Sequence, residues 1–140
     1  MKILFVCRGN VGRSQISKAL FNKYSKWKSE SAGTIVFENE NQKLKSISLA
    51  DPVIRFMKKE GIDVSENVRM QLKPEDVTKY DKIILMAERD TIPEYLLKNN
   101  KVEFWNIKDP KGLSDKEYEL IIAQLKEKVL ELINKTNSKR

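Results

Sequence analysis

At 140 residues, 40% hydrophobic and 34% charged, the chain is long enough for a two-sided α/β core and short for two, so residues 1–140 are expected to form one folded domain. One cysteine and no histidine exclude an internal disulfide and the usual ligand sets of a zinc or catalytic metal site, so no metal and no cofactor are expected. The formal charge of +7 draws anionic partners, but the Lys and Arg residues are spread through the helices with no arginine-rich stripe, so nucleic acid is not expected among them.

Ile3-Leu4-Phe5-Val6 is an unbroken apolar run, the pattern of a strand buried on both faces. Met1-Lys2 leads straight into it. The run is too short for a secretion signal or a membrane span, so a cytoplasmic location and no membrane partner are expected. A helix is expected from Ser14 to about Tyr24. Between strand and helix lies Cys7-Arg8-Gly9-Asn10-Val11-Gly12-Arg13-Ser14. A strand-to-helix loop aims its free N–H groups and the positive end of the helix dipole at one spot, a place suited to a tetrahedral oxyanion.

These residue types fit a sulfur nucleophile beneath that oxyanion. Inward amides and a nearby cation favour the reactive thiolate of Cys7. The five residues between Cys7 and Arg13 can ring the terminal oxygens of a phosphate, and the planar fork of Arg13 can grip two of them. Gly9 and Gly12 permit backbone that a side chain resists, Asn10 tolerates positive φ and can brace the loop, and Ser14 can set a hydroxyl beside the sulfur. A nucleotide-binding loop is a competing cradle, but no Gly-Lys-Ser/Thr occurs, nor any G-x-G-x-x-G.

Glu30 to Ala32 should form a short second strand. Asp51-Pro52 reads as an N-cap with proline at the first helical position. Val53, Ile54, Phe56 and Met57 make that helix's apolar face, and Gly61 stops it. Pro74-Glu75-Asp76 opens another short helix. Ile83 to Met86 is a buried strand, Glu88 to Leu97 is helical with a break near Pro93, and Val102 to Trp105 is the last strand. Ser114-Asp115-Lys116-Glu117 is a capping box. The helix it opens carries Tyr118, Ile121, Ile122, Leu125, Val129, Leu132 and Ile133 on one stripe. Lys135 to Arg140 is a basic tail expected to fray. In such open parallel sheets ligands sit beyond the carboxyl ends of the strands, where Cys7 and the Asp109 loop can meet.

Cys7, Gly9, Asn10, Arg13 and Ser14 resemble the C-x-G-N-x-[CG]-R-S signature of the low-molecular-weight protein tyrosine phosphatases, which directly follows their first strand. Ser31-Ala32-Gly33-Thr34, Gly61-Ile62, Tyr80 to Met86 and Asp109-Pro110 extend the resemblance along nearly the whole chain. It implies a single-domain α/β fold: a four-stranded parallel sheet flanked by helices on both faces, with the phosphate-binding loop after strand 1. It also implies hydrolysis of phosphomonoesters through a phosphocysteine on Cys7, without metal. Residues Arg8, Gly9, Asn10, Val11, Gly12, Arg13 and Ser14 would hold phosphate or a similar oxyanion. The substrate would be a phosphorylated protein or a small aryl phosphate. Asp109 would protonate the leaving group and then accept a proton from water. Pro110 biases Asp109 toward extended backbone.

Several positions depart from the family pattern. Gly12 stands where relatives often have a second cysteine. Lys111 and Gly112 follow the Asp-Pro where many have aromatic residues. Phe37 falls near the family's other aromatic wall, so Phe37 and Lys111 are expected to wall the substrate slot, while Arg8 and Lys111 suit an acidic substrate. The family's loop network often includes a histidine, and Asn67 lies near that position here. Three alternatives stay open. Gln15 resembles the loop of thioredoxin-linked arsenate reductases, which relay oxidation through further cysteines that this chain lacks. Phosphoarginine phosphatases tend to have Thr where Val11 stands. A non-catalytic phosphate-binding module would need neither a nucleophile nor an acid.

Overall fold

The apolar run near the start of the chain becomes the second strand across a four-stranded parallel sheet, flanked on both sides. The computed structural model of the chain describes residues 1–138. Its strands are β1 (Lys2–Cys7), β2 (Lys28–Gly33), β3 (Lys82–Leu85) and β4 (Val102–Phe104), in the order β2-β1-β3-β4. The helices are α1 (Arg13–Tyr24), α2 (Asp51–Lys59), α3 (Asp76–Lys79), α4 (Glu94–Leu97) and α5 (Asp115–Ser138). Cys7 pairs in register with Gly33, and Val6 with Leu85, so all the carboxyl ends share one edge. The chain turns one way from β1 to β2 and returns across β1 to β3, so the crevice between β1 and β3 is the topological switch point.

Alternation along β1 divides the core. Ile3, Phe5 and Cys7 face α1, α2 and α5, where they meet Ile16, Leu20, Phe21, Met57, Leu125 and Val129. Phe5 lies edge-on to Phe21 at 5.8 Å between ring centroids. Leu4 and Val6 face the other way, with Ile83, Leu85, Ile92 and Leu96 under α3 and α4. Each of these buried aliphatic and aromatic side chains contributes about 1.5–3 kcal/mol. The stripe expected on the last helix is buried, and its capping box forms: Ser114 Oγ accepts from Glu117 N–H, and Glu117 Oε1 accepts from Ser114 N–H and Oγ. Among the described residues no helix is long and apolar enough to cross a membrane.

The boundaries differ from expectation where tertiary contacts take over. Ala50, not Asp51, caps α2, because a 3-10 turn over Ser48–Ala50 runs straight into the helix; Asp51 instead accepts from Arg55 Nε at 2.9 Å. The expected helix from Glu88 to Leu97 is a 3-10 turn, Arg89–Thr91, followed by the short α4, and Glu88 itself is extended. In place of the expected tail, Lys135 to Ser138 continues α5, held by Thr136 Oγ1 donating to Leu132 O at 2.8 Å. Lys139 and Arg140 lie outside the described residues.

Candidate active site

Between β1 and α1 every carbonyl but that of Val11 accepts a hydrogen bond. Cys7 O accepts from Thr34 N–H and Arg8 O from Ile35 N–H, both at 2.9 Å. Gly9 O accepts from Arg69 Nε at 2.9 Å and Asn10 O from Gln15 Nε2 at 3.2 Å. Gly12 O accepts from Ile16 N–H and starts the helix. Among the described residues, none of the N–H groups of residues 8–12 donates a hydrogen bond. A loop with its acceptors engaged outside and its donors unspent inside is a cradle for an oxyanion. Gly33 is what lets β2 approach it: a Cβ there would stand 2.7 Å from Arg8 O and 2.6 Å from Val36 Cγ2.

A buried chain of polar groups fixes the loop from beneath. Asn10 is fully buried with φ 56°, the left-handed conformation its short amide tolerates. Its Oδ1 accepts from Met70 N–H at 2.8 Å, and its Nδ2 donates to Ser14 Oγ at 2.7 Å. Ser14 Oγ lies 3.0 Å from Cys7 Sγ. With its oxygen already accepting from Asn10, the Ser14 hydroxyl has its hydrogen free to donate to sulfur. Gln15 extends the chain: its Nε2 also donates to Val68 O at 3.1 Å, and its Oε1 accepts from Asn67 Nδ2 at 3.2 Å. Asn67 and Gln15 together brace the loop.

Arg13 is the first residue of α1 and is 3% exposed. Its guanidinium spans the switch point. Nη1 donates to Met86 O after β3 at 2.6 Å, to Ile107 O after β4 at 3.0 Å, and to Glu88 Oε2 at 2.9 Å. Nη2 donates to Glu88 Oε1 at 3.1 Å and lies 3.9 Å from Asp109 Oδ2. Nε has no acceptor among the described residues, while the two terminal nitrogens are anchored. Burial pulls the Arg13 proton affinity down, but the hydrogen bonds to Glu88 and the charges of Cys7, Glu88 and Asp109 outweigh it and leave the pKa raised. The Arg13 hydrogen bonds in turn hold Glu88 below the usual carboxylate range, against the opposing effect of its own burial. Sequence reading missed Glu88, whose partner lies 75 residues away.

Above the loop is a cavity of about 310 Å³ lined by Cys7, Arg8, Gly9, Val11, Gly12, Arg13, Ile35, Leu49, Arg69, Asp109, Pro110, Lys111 and Tyr118. Thus Asp109 and Lys111, far along the sequence, come to the same cavity as Cys7. Lys111 N–H donates to Asp109 Oδ1 at 3.0 Å, which fixes the carboxylate in a tight turn. Buried Pro110 rests on Gly12, where a Cβ would come within 3.2 Å of Pro110 Cγ. Phe37 lies outside the lining of this cavity and is 59% exposed. Gln71 Oε1 accepts from both Val36 and Phe37 N–H at 2.7 Å, which pins a left-handed turn (φ 49° at Phe37) that buries Val36 and turns Phe37 out. Ile35 and Leu49 are apolar side chains in the lining. Tyr118, read only as core, also reaches the cavity, its ring stacked on Phe56; burial first, then the Asp109 charge, push its phenol up. Among the described residues no cluster of three or more His, Cys, Asp or Glu is arranged to hold a metal ion.

Comparison with known proteins places this geometry. The sequence model of the family "Low molecular weight phosphotyrosine protein phosphatase" matches residues 2–140. The chain is 32% identical over 131 residues to the low molecular weight phosphotyrosine protein phosphatase of Gallus gallus, covering 86% of this chain and 76% of that protein. It is 27% identical over 135 residues to the glutaredoxin arsenate reductase of Synechocystis, covering 96% and 97% of the two chains. The crystal structure of the low molecular weight protein tyrosine phosphatase from T. tengcongensis superposes with a TM-score of 0.81 at 27% identity, over 96% of this chain and 99% of the other.

Proposed function

The chain belongs to the low molecular weight phosphotyrosine protein phosphatase family, and from that membership we propose that residues 1–140 act as one phosphatase domain, hydrolysing tyrosyl and other aryl phosphates through a phosphocysteine on Cys7. The observation that carries this reading is the loop that follows the only thiol in the chain, with every carbonyl but one engaged and the N–H groups of residues 8–12 unspent among the described residues.

The steps follow from the groups at hand. The Cys7 thiolate attacks phosphorus as the bond to the leaving oxygen breaks. Protonated Asp109 delivers its proton to that oxygen, which would otherwise leave as a poor anionic group. The N–H groups of residues 8–12 and the Nε edge of Arg13 take up charge on the equatorial oxygens, held in place before the reaction begins. The Asp109 carboxylate then accepts a proton from a water that attacks the thiophosphate. The S–P bond breaks, inorganic phosphate forms, and Ser14 Oγ–H steadies the departing thiolate.

The direct test is hydrolysis of an aryl phosphate by the wild-type protein and by Cys7→Ser. The variant should fold and lose on the order of a thousandfold or more in turnover. Substantial activity in that variant, or a strict metal requirement in the wild type, would overturn the reading. One observation favours a second reading: Gln15 braces the loop, and the chain aligns almost end to end with an arsenate reductase. With a single cysteine, arsenate bound to Cys7 would need an external thiol to attack the sulfur and release arsenite, leaving a mixed disulfide that a second thiol reduces. Arsenate-dependent consumption of added thiol, faster than ester hydrolysis, would select that reading.

A further inference from the structure

Arg69 has no part in the steps above, yet it is fixed in the wall of the same cavity. Its Nε is tied to Gly9 O at 2.9 Å and its Nη1 to Gln42 Oε1 at 2.9 Å. Both acceptors are neutral. Arg13, Lys18, Lys82 and Lys126, also wholly or partly buried, each pair with a carboxylate, whereas partly buried Lys101, like Arg69, has a neutral acceptor, Val77 O. Among the described residues, no carboxylate lies within ion-pair distance of Arg69. Burial leaves its proton affinity below the ordinary arginine range, with the Cys7 charge opposing that pull. An arginine with two of its nitrogens fixed by neutral acceptors, half-buried and without a carboxylate partner, is pre-organised to receive an anion. The remaining nitrogen, Nη2, faces Gly9, 3.6 Å from where a Cβ on that residue would stand. Lys111 and Arg8 line the same cavity; neither has an ion pair among the described residues, although Arg8 acts on Glu88 at longer range.

We propose that Arg69 is a specificity residue that holds a second anionic group of the substrate beside the phosphate in the loop, so that preferred substrates are phosphomonoesters carrying a nearby carboxylate or second phosphate. Lys111 and Arg8 extend the positive field outward, and Ile35 with Leu49 packs the segment between the two anions. The inference rests on the phosphatase reading of the same cavity. It concerns which ester is chosen, not how the ester is cleaved.

The test uses matched pairs: a phosphotyrosine peptide with glutamate beside the phosphorylated residue against the same peptide with alanine, and an aryl phosphate with a ring carboxylate against one without. The peptide pair and the small pair distinguish a neighbouring side chain from a group on the ring itself. Wild type should favour the anionic member of at least one pair by roughly tenfold in kcat/KM, an advantage that shrinks as ionic strength rises. Arg69→Gln should bring that ratio close to one, and Lys111→Gln should lower it by a smaller factor. The same pairs, titrated calorimetrically into Cys7→Ser with and without Arg69→Gln, should show the same change in Kd ratio without any turnover. Ratios that Arg69→Gln leaves untouched would overturn the proposal. So would equal losses on both members of a pair with a displaced pH profile of Cys7 alkylation, because Arg69 would then be supporting the loop and its sulfur. If no ester is hydrolysed by wild type but the Kd ratios behave as stated, the phosphatase reading fails and the anion site stands.

Discussion

Glu88 sets the direction in which Arg13 faces. Glu88→Gln retains one acceptor but loses the charge and the second parallel bond, so the guanidinium should swing from its anchored edge. A misplacement of this kind lowers kcat/KM by up to about a hundredfold. Arg13→Lys keeps a positive charge yet cannot hold Met86 O, Ile107 O, Glu88 and a phosphate at once, and should lose a hundredfold or more. Steady-state kinetics on an aryl phosphate measures both, and near-normal rates in the lysine variant would refute the geometry. Glu88 also makes stability depend on pH. Its folded pKa is depressed by the Arg13 hydrogen bonds, with burial opposing, so its contribution is fully present above the ordinary value of 4.5 and is lost as pH falls through the lower folded value. Urea midpoints followed downward from pH 6 should therefore fall less steeply in Glu88→Gln than in wild type. For Asp109, the signature is selectivity among leaving groups. Asp109→Asn should slow alkyl and tyrosyl phosphates strongly and slow esters of very acidic phenols much less; an equal loss across both would place the acid elsewhere.

At the scale of elements, two substitutions separate chemistry from architecture. Gly12→Ala brings a methyl to 3.2 Å from Pro110 Cγ, and the turn presenting Asp109 must give way by a few tenths of an ångström. The rate should fall several-fold while the thermal midpoint barely moves. Ser114→Ala removes the cap of α5 and should cost about 1 kcal/mol of stability, read from denaturant unfolding, with kcat unchanged. The strand–loop–helix unit was legible in the sequence because its signals are local: an apolar run, a short loop with two glycines and an asparagine, then helix formers. The stripe of α5 and its capping box were legible for the same reason. Glu88, the bracing role of Gln15 and the position of Arg69 were not. Their partners lie 75, 53 and 60 residues away, and only the parallel crossovers bring them together. The exposure of Phe37 was not legible either, because one glutamine, Gln71, decides which of two neighbouring apolar residues turns inward.

For the whole molecule, the single thiol defines its response to oxidants. Sulfenic acid on Cys7 has no second cysteine to condense with, so peroxide should inactivate the protein progressively, with recovery only when an external thiol is added early. Bound phosphate should slow that loss by covering the sulfur, which timed assays with and without phosphate would measure. A different kind of vulnerability follows from the sheet order. Cys7 ends a strand paired on both flanks, whereas Asp109 follows β4, an edge strand paired on one flank alone, through Ile83–Val102, Ile84–Glu103 and Leu85–Phe104. The two halves of the cavity therefore belong to units of unequal local stability. Amide hydrogens of β4 should exchange with deuterium well before those of β1. In mild denaturant there should be a range in which the frayed edge has carried Asp109 away while the Cys7 loop still binds phosphate, so that the molecule retains its ligand after it has lost its turnover.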